Sequence, residues 1–176
     1  MRRIRQSFRP VIGLPCWGVE NGWGSFLTFE FGQPSLVIRE PYISDAPTKR
    51  VRARAAQRLV NPRGEWHLWI YCCAWQLTVD SKIVADWTTK ARSKRAPGIL
   101  NGQILTGIKP LKAGRGWEFE FDLGATLETT PTDRSSEQWM LYGPKDKVLT
   151  VRADKTYHYG VGTKPSKQER WLPIDA

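Results

Sequence analysis

Histidine is almost missing from this chain. His67 and His158 are the two in 176 residues, so little imidazole chemistry, acid–base or metal-based, can be assembled. Cysteine is scarce and odd in number: Cys16, Cys72 and Cys73. An odd set cannot pair fully within one chain, and free thiols fit a reducing cytoplasm, which is the expected location. No apolar run approaches the ~20 residues of a membrane helix, so no membrane partner is expected. The arginine-rich start, Met1 to Pro10, is followed by no apolar stretch of the kind a secretion signal needs. Glycines 18, 22 and 24 lack both the spacing and the strand-to-helix setting of a nucleotide loop. They read as a turn, and no cofactor is expected.

Helical periodicity is also lacking. No apolar pattern of period 3.6 runs beyond two turns, whereas period-two alternation recurs along the chain. The stretch Gly64 to Val79 dominates. It is the longest apolar run and holds three of the nine tryptophans. Trp66, Leu68, Ile70, Cys72 and Ala74 fall on one side of an extended chain; Trp69, Tyr71, Cys73, Trp75, Leu77 and Val79 fall on the other. A single central strand covered on both faces reads this way. Ser25 to Phe31 and Ser35 to Glu40 alternate around Gly32-Gln33-Pro34, as in a hairpin. Trp117, Phe119, Phe121 and Leu123 point inward, with Glu118, Glu120 and Asp122 outward. Asp80-Ser81 turns the chain into a strand at 82–87. Further strands are expected at 103–108, 127–129, 138–142, 148–152 and 156–159, with a turn at 110–116 containing Lys112, Gly114 and Arg115. Thr88 to Gly98 reads as an exposed basic loop.

Residues 48–60 fit two readings. Their alanines favour helix. Alternation of Arg50, Arg52, Arg54 and Arg58 against Val51, Ala53, Ala55 and Leu59 favours a strand, and so does the absence of acidic partners for like charges on one helical face. The resulting expectation is an all-β, antiparallel sandwich or partly open barrel of about eight to ten short strands with little helix. One domain spans 1–176, with a basic Gly/Pro-containing segment at 1–24 and a polar tail at 161–176. Trp171, Leu172 and Ile174 can dock that tail.

No catalytic set assembles from these residues. His67 and Cys73 lie roughly 20 Å apart along one strand, too far to share a metal. Neither histidine is placed near Cys16, so a Cys–His nucleophile lacks its base. The Glu118, Glu120 and Asp122 row reads as a solvated strand face, able to pair with the basic segment at Arg50 to Arg58. No enzyme and no metal site are expected.

The remaining signal is charge and aromatic surface. Lys and Arg number 27 against 17 acidic residues, a formal net charge of +10, which favours an acidic partner. The candidate binding residues are Arg50, Arg52, Arg54, Arg58, Lys90, Arg92, Lys94 and Arg95, with Trp17, Trp23 and Trp87.

Four stretches carry a resemblance: Gly64 to Trp69 with Cys73 and Trp75, Phe121 to Gly124, Glu137 to Tyr142, and Gly24 to Phe31 with Gly32. With these the chain resembles a family of small bacterial β-rich proteins that has no established activity. The resemblance implies a bacterial cytoplasmic protein but transfers no site residues. Small proteins of that kind are often similar to immunity or inhibitor proteins that bind one partner. The positive charge departs from the acidic character of many nuclease-blocking proteins. The expected function is therefore a non-catalytic binding protein acting on another protein. The alternative is a nucleic-acid-binding module using the Arg/Lys clusters and exposed Trp. A less favoured reading is a β-barrel holding a small ligand.

Overall fold

The computed structural model describes residues 1–111, 115–162 and 169–174; Lys112 and Gly114 of the expected turn, and 163–168 and 175–176 of the tail, lie outside them. The chain is an antiparallel all-β sandwich. Strands β1 (Cys16–Asn21), β2 (Leu27–Phe31) and β5 (Trp66–Ile70) pair in that order. They continue into β11 (Glu137–Gly143), β12 (Lys147–Arg152), β13 (Thr156–Val161) and β14 (Leu172–Pro173). The facing sheet runs β7 (Lys82–Asp86), β6 (Cys73–Val79), β10 (Ala125–Pro131), β9 (Trp117–Phe121), β8 (Leu105–Pro110). Among the described residues neither sheet closes on itself into a barrel.

The Gly64 to Val79 stretch is two strands in two sheets, not one central strand. Leu68 and Ile70 are buried from β5, and Cys73, Trp75 and Leu77 from β6. The inward parity therefore switches from even to odd positions. Cys72, at φ 41°, makes the corner. A non-glycine residue in the left-handed region turns the chain without ending its apolar pattern, so two half-covered strands mimic one strand covered on both faces.

The core lies between the sheets. Trp139 of β11 meets Trp117 of β9 edge-on at 5.2 Å between ring centroids, and Phe29 of β2 meets Phe121 of β9 at 6.3 Å. Helix α1 (Arg2–Phe8) plugs one opening. Its Ile4 and Phe8, four apart on one face, are buried. Phe8 sits 5.5 Å from Trp139 and 6.2 Å from Phe119. The basic segment at 1–24 thus opens with a helix that is followed by β1, and Cys16 is buried in the core.

Residues 25–40 do not form a hairpin. β2 pairs with β1 and β5. The second run, β3 (Ser35–Arg39), pairs with β4 (Leu59–Arg63) in a two-stranded sheet of its own. Between them lies α2 (Lys49–Ala55), so the first part of 48–60 is helix and only its end is strand. Thr48 caps the helix by accepting from the Val51 N–H at 3.4 Å, and alanine propensity decides the conformation. Repulsion along the arginine stripe is too small in solvent to oppose it.

The basic stretch 88–98 contains two short helices, α3 (Lys90–Ser93) and α4 (Ala96–Leu100). Thr89 caps α3 through the Arg92 N–H at 3.2 Å, and Ala96 and Leu100 are buried. Leu123 points outward and is 68% exposed, because β9 ends at Phe121 and a turn through Gly124 follows. The Glu118 and Glu120 carboxylates are held by Lys109 of β8, at 2.8 and 2.6 Å, and not by the arginines of 50–58. Both bonds push the Lys109 ammonium upward. In the tail, β14 adds to β13, Ile174 packs on the core and Arg152 stacks over Trp171 at 4.5 Å.

Candidate functional site

The β3–α2–β4 unit stands apart from both sheets as an arm. All five residues of β3 but Arg39 are exposed. Arginine holds the arm together. The Arg39 guanidinium donates to the carbonyls of Arg54 at 2.7 Å, Gln57 at 3.1 Å and Ala55 at 3.4 Å, and stacks over Tyr42 at 5.0 Å. Arg52 donates to Ala46 O and Pro47 O, and Arg58 pairs with Glu40 at 2.8 Å. Of the expected binding arginines, Arg52 and Arg58 thus serve the arm's own fold. Arg50 and Arg54, with Lys49, lie exposed on α2, and among the described residues none of the three has an ion-pair partner.

Apolar side chains share this surface. Leu36, Val37, Ile38, Ile43, Val51 and Val60 are exposed, and Tyr42 is 54% exposed. Seven of the thirteen exposed large apolar residues among those described therefore lie in the arm. Periodicity cannot reveal this concentration, because exposed and buried alternating strands read alike.

The arm's root is fixed by Glu30, which is buried on the outer face of β2. Its Oε2 accepts from the Gly64 N–H at 2.9 Å, and its Oε1 lies 2.8 Å from His67 Nδ1 and 3.6 Å from Arg63. Trp17, Trp69 and Arg63 join His67 along a groove of about 380 Å3 beneath β4. The Trp17 indole donates to Gly32 O at 3.0 Å. An imidazole fixed at Nδ1 by a carboxylate keeps one orientation. Here that pair also ties the sheet to the arm.

A second groove, of about 520 Å3, lies at the tip of the β1–β2 hairpin and unites four of the expected residues: Trp23, Trp87, Lys90 and Lys94. Trp23 is 88% exposed and Trp87 41%. Both walls are braced. The buried Trp75 indole donates to Ser25 O at 2.8 Å, and Ser93 Oγ donates to Asn21 Oδ1 at 3.1 Å. Arg92 points back to Asp86 at 2.5 Å, which leaves the two lysines as the groove's cations. Arg95, the N-cap of α4, is exposed and is not among the lining residues.

Two of the three thiols, Cys16 and Cys73, are internal, whereas Cys72 and His158 are half-buried. The Cys16 thiol donates to Leu100 O at 2.9 Å and the Cys73 thiol to Gln138 O at 3.2 Å. Burial pushes the Cys16 thiol up to about 12 and raises Cys73 as well. His158 accepts from the Arg170 N–H at 3.1 Å. Among the described residues no three His, Cys, Asp or Glu side chains converge as a metal site, and no helix is long and apolar enough to cross a membrane. Comparison with protein-family models, with curated proteins and with solved structures finds no match to this chain, so its own geometry carries the functional reading.

Proposed function

We propose that this is a non-catalytic binding protein, an immunity, inhibitor or regulatory partner of another protein, and that the β3–α2–β4 arm is its docking element. The observation that carries this reading is the concentration of exposed apolar side chains on a unit rich in positive charge. Residues 35–63 hold seven Lys and Arg against two carboxylates. A two-stranded sheet has little stability alone, yet this one keeps its apolar residues in water. Covering them on a partner recovers roughly 25 cal/mol per Å2 of apolar area. The partner surface that fits is apolar at its centre and acidic around it, to meet Lys49, Arg50 and Arg54. Three free thiols agree with action in a reducing cytoplasm.

The test is photo-crosslinking in cells of the native host. A photoreactive residue placed at Ile38 or Ile43 should give one discrete adduct that is lost in Arg50→Glu/Arg54→Glu; the same residue at Ile83 should give none. Absence of an adduct, an adduct unaffected by charge reversal, or an adduct with a second copy of this chain would each overturn the proposal.

A further inference from the structure

We infer that the groove between Trp23 and Trp87 binds single-stranded nucleic acid, with bases stacked on the indoles and phosphates on Lys90 and Lys94. The site is distinct from the arm. It lies at the β1–β2 tip, and none of its lining residues belongs to 35–63.

Exposure of Trp23 is the first reason. At 88% exposure Trp23 stands almost wholly in water. A ring in that state can slide between two adjacent bases. Trp87, more covered, offers a platform for a neighbouring base. Stacking of this kind tolerates any base, since every base has a π-face.

Charge is the second reason. Lys90 and Lys94 border the groove and, among the described residues, no carboxylate lines it. Asp86 faces Arg92 instead, through a 2.5 Å contact, and also accepts from the Thr88 hydroxyl. The electrostatics are therefore separated: the acidic group and Arg92 serve the wall, and two ammonium groups face the ligand.

Rigidity is the third. Trp23 sits in a turn closed by Gly22 N–H donating to Phe26 O at 2.9 Å, and the next residues are pinned by the bond from Trp75 to Ser25. The opposite wall is pinned by Ser93 to Asn21. A groove held in shape before binding loses less entropy on binding.

The experiment uses fluorescein-labelled oligo-dT and oligo-U of about 12 nucleotides, within the usual size range of single-strand sites. Anisotropy reports binding, and quenching of tryptophan emission reports stacking. Both oligonucleotides should bind, with quenching. Affinity should fall with salt at a log–log slope near −1.4, about 0.7 per ammonium. Trp23→Ala and Trp87→Ala should each weaken binding by about 10-fold. Lys90→Glu/Lys94→Glu should flatten the salt slope, while Arg50→Glu/Arg54→Glu should leave affinity within about twofold. Trp23 is a surface residue, so an unchanged far-UV spectrum and melting temperature confirm that its variant folds. Three outcomes would overturn the inference: no binding at low salt, equal binding by Trp23→Ala, or equal competition by duplex DNA or oligoglutamate.

Discussion

His67 and Glu30 face each other across the paired strands β5 and β2, with Nδ1 of the imidazole 2.8 Å from Oε1 of the carboxylate. The same carboxylate accepts the Gly64 N–H at the point where the arm rejoins the sheet. One side chain therefore sets both the orientation of the histidine and the exit angle of β4. Glu30→Ala should cost about 1.5–3 kcal/mol, the range for a lost charge-assisted hydrogen bond. His67→Ala in the Glu30→Ala background should cost much less than in the parent. Urea denaturation of the two single variants and the double variant gives the coupling directly. Additive losses would mean that the contact contributes nothing.

Cys72 turns the chain between sheets at φ 41°. Cys72→Gly should leave stability within about 1 kcal/mol of the parent, since glycine adopts that angle freely. Cys72→Val should cost about 1–3 kcal/mol, because a branched side chain strains the same backbone. Equal stability of the two variants, measured by thermal melting, would refute a strained corner.

The thiols should differ in reactivity. Burial holds Cys16 and Cys73 protonated, while Cys72 is partly exposed and raised less, by burial and by Asp133 and Glu137. At about pH 8, an aromatic disulfide reagent should modify Cys72 alone, and slowly. All three should react in denaturant. Rapid labelling of Cys16 in the folded protein would contradict its place in the core.

Asp86 ties β7 to α3. The Thr88 hydroxyl, then the Thr88 N–H and Arg92, hold its carboxyl below the usual range and outweigh its partial burial. Its contribution is therefore present above about pH 4, the unfolded value, and is lost as pH falls through the lower folded value. The urea midpoint of Asp86→Asn should lie below the parent's at neutral pH and converge with it in acid. A constant difference at every pH would exclude this role.

Arg39 closes the arm through three carbonyls of α2 and its C-terminal turn. Arg39→Ala should speed amide exchange across 49–63 while leaving exchange in β5 and β11 unchanged, since among the described residues the arm shares no ladder with either sheet. Loss of protection throughout the sandwich would show that the arm is integral to the core.

Local chemistry determined most of the strands. Alternation at Trp117 to Phe121 marks a one-sided strand whatever surrounds it, and the positive φ of Asp80 and Ser81 confirms a tight turn between β6 and β7. Net charge, a property of composition, pointed to an acidic partner, and the tryptophans supplied candidate binding residues. Of the expected binding residues, Trp23, Trp87, Lys90 and Lys94 line one groove, whereas Arg52, Arg58 and Arg92 are engaged within the protein.

Tertiary structure decided what a strand faces and with what it pairs. Apolar runs do not record the sheet to which they belong, so the corner at Cys72 was invisible and one strand was expected where two exist. The Ser25 to Glu40 hairpin failed for the same reason: β2 found β5 and β3 found β4, 20 or more residues away. Helix α2 depended on a threonine cap and on solvent screening of its arginines, both too weak to outweigh period-two alternation on paper. Position in space, not pattern, separated the exposed apolar residues of the arm from the buried ones of the core.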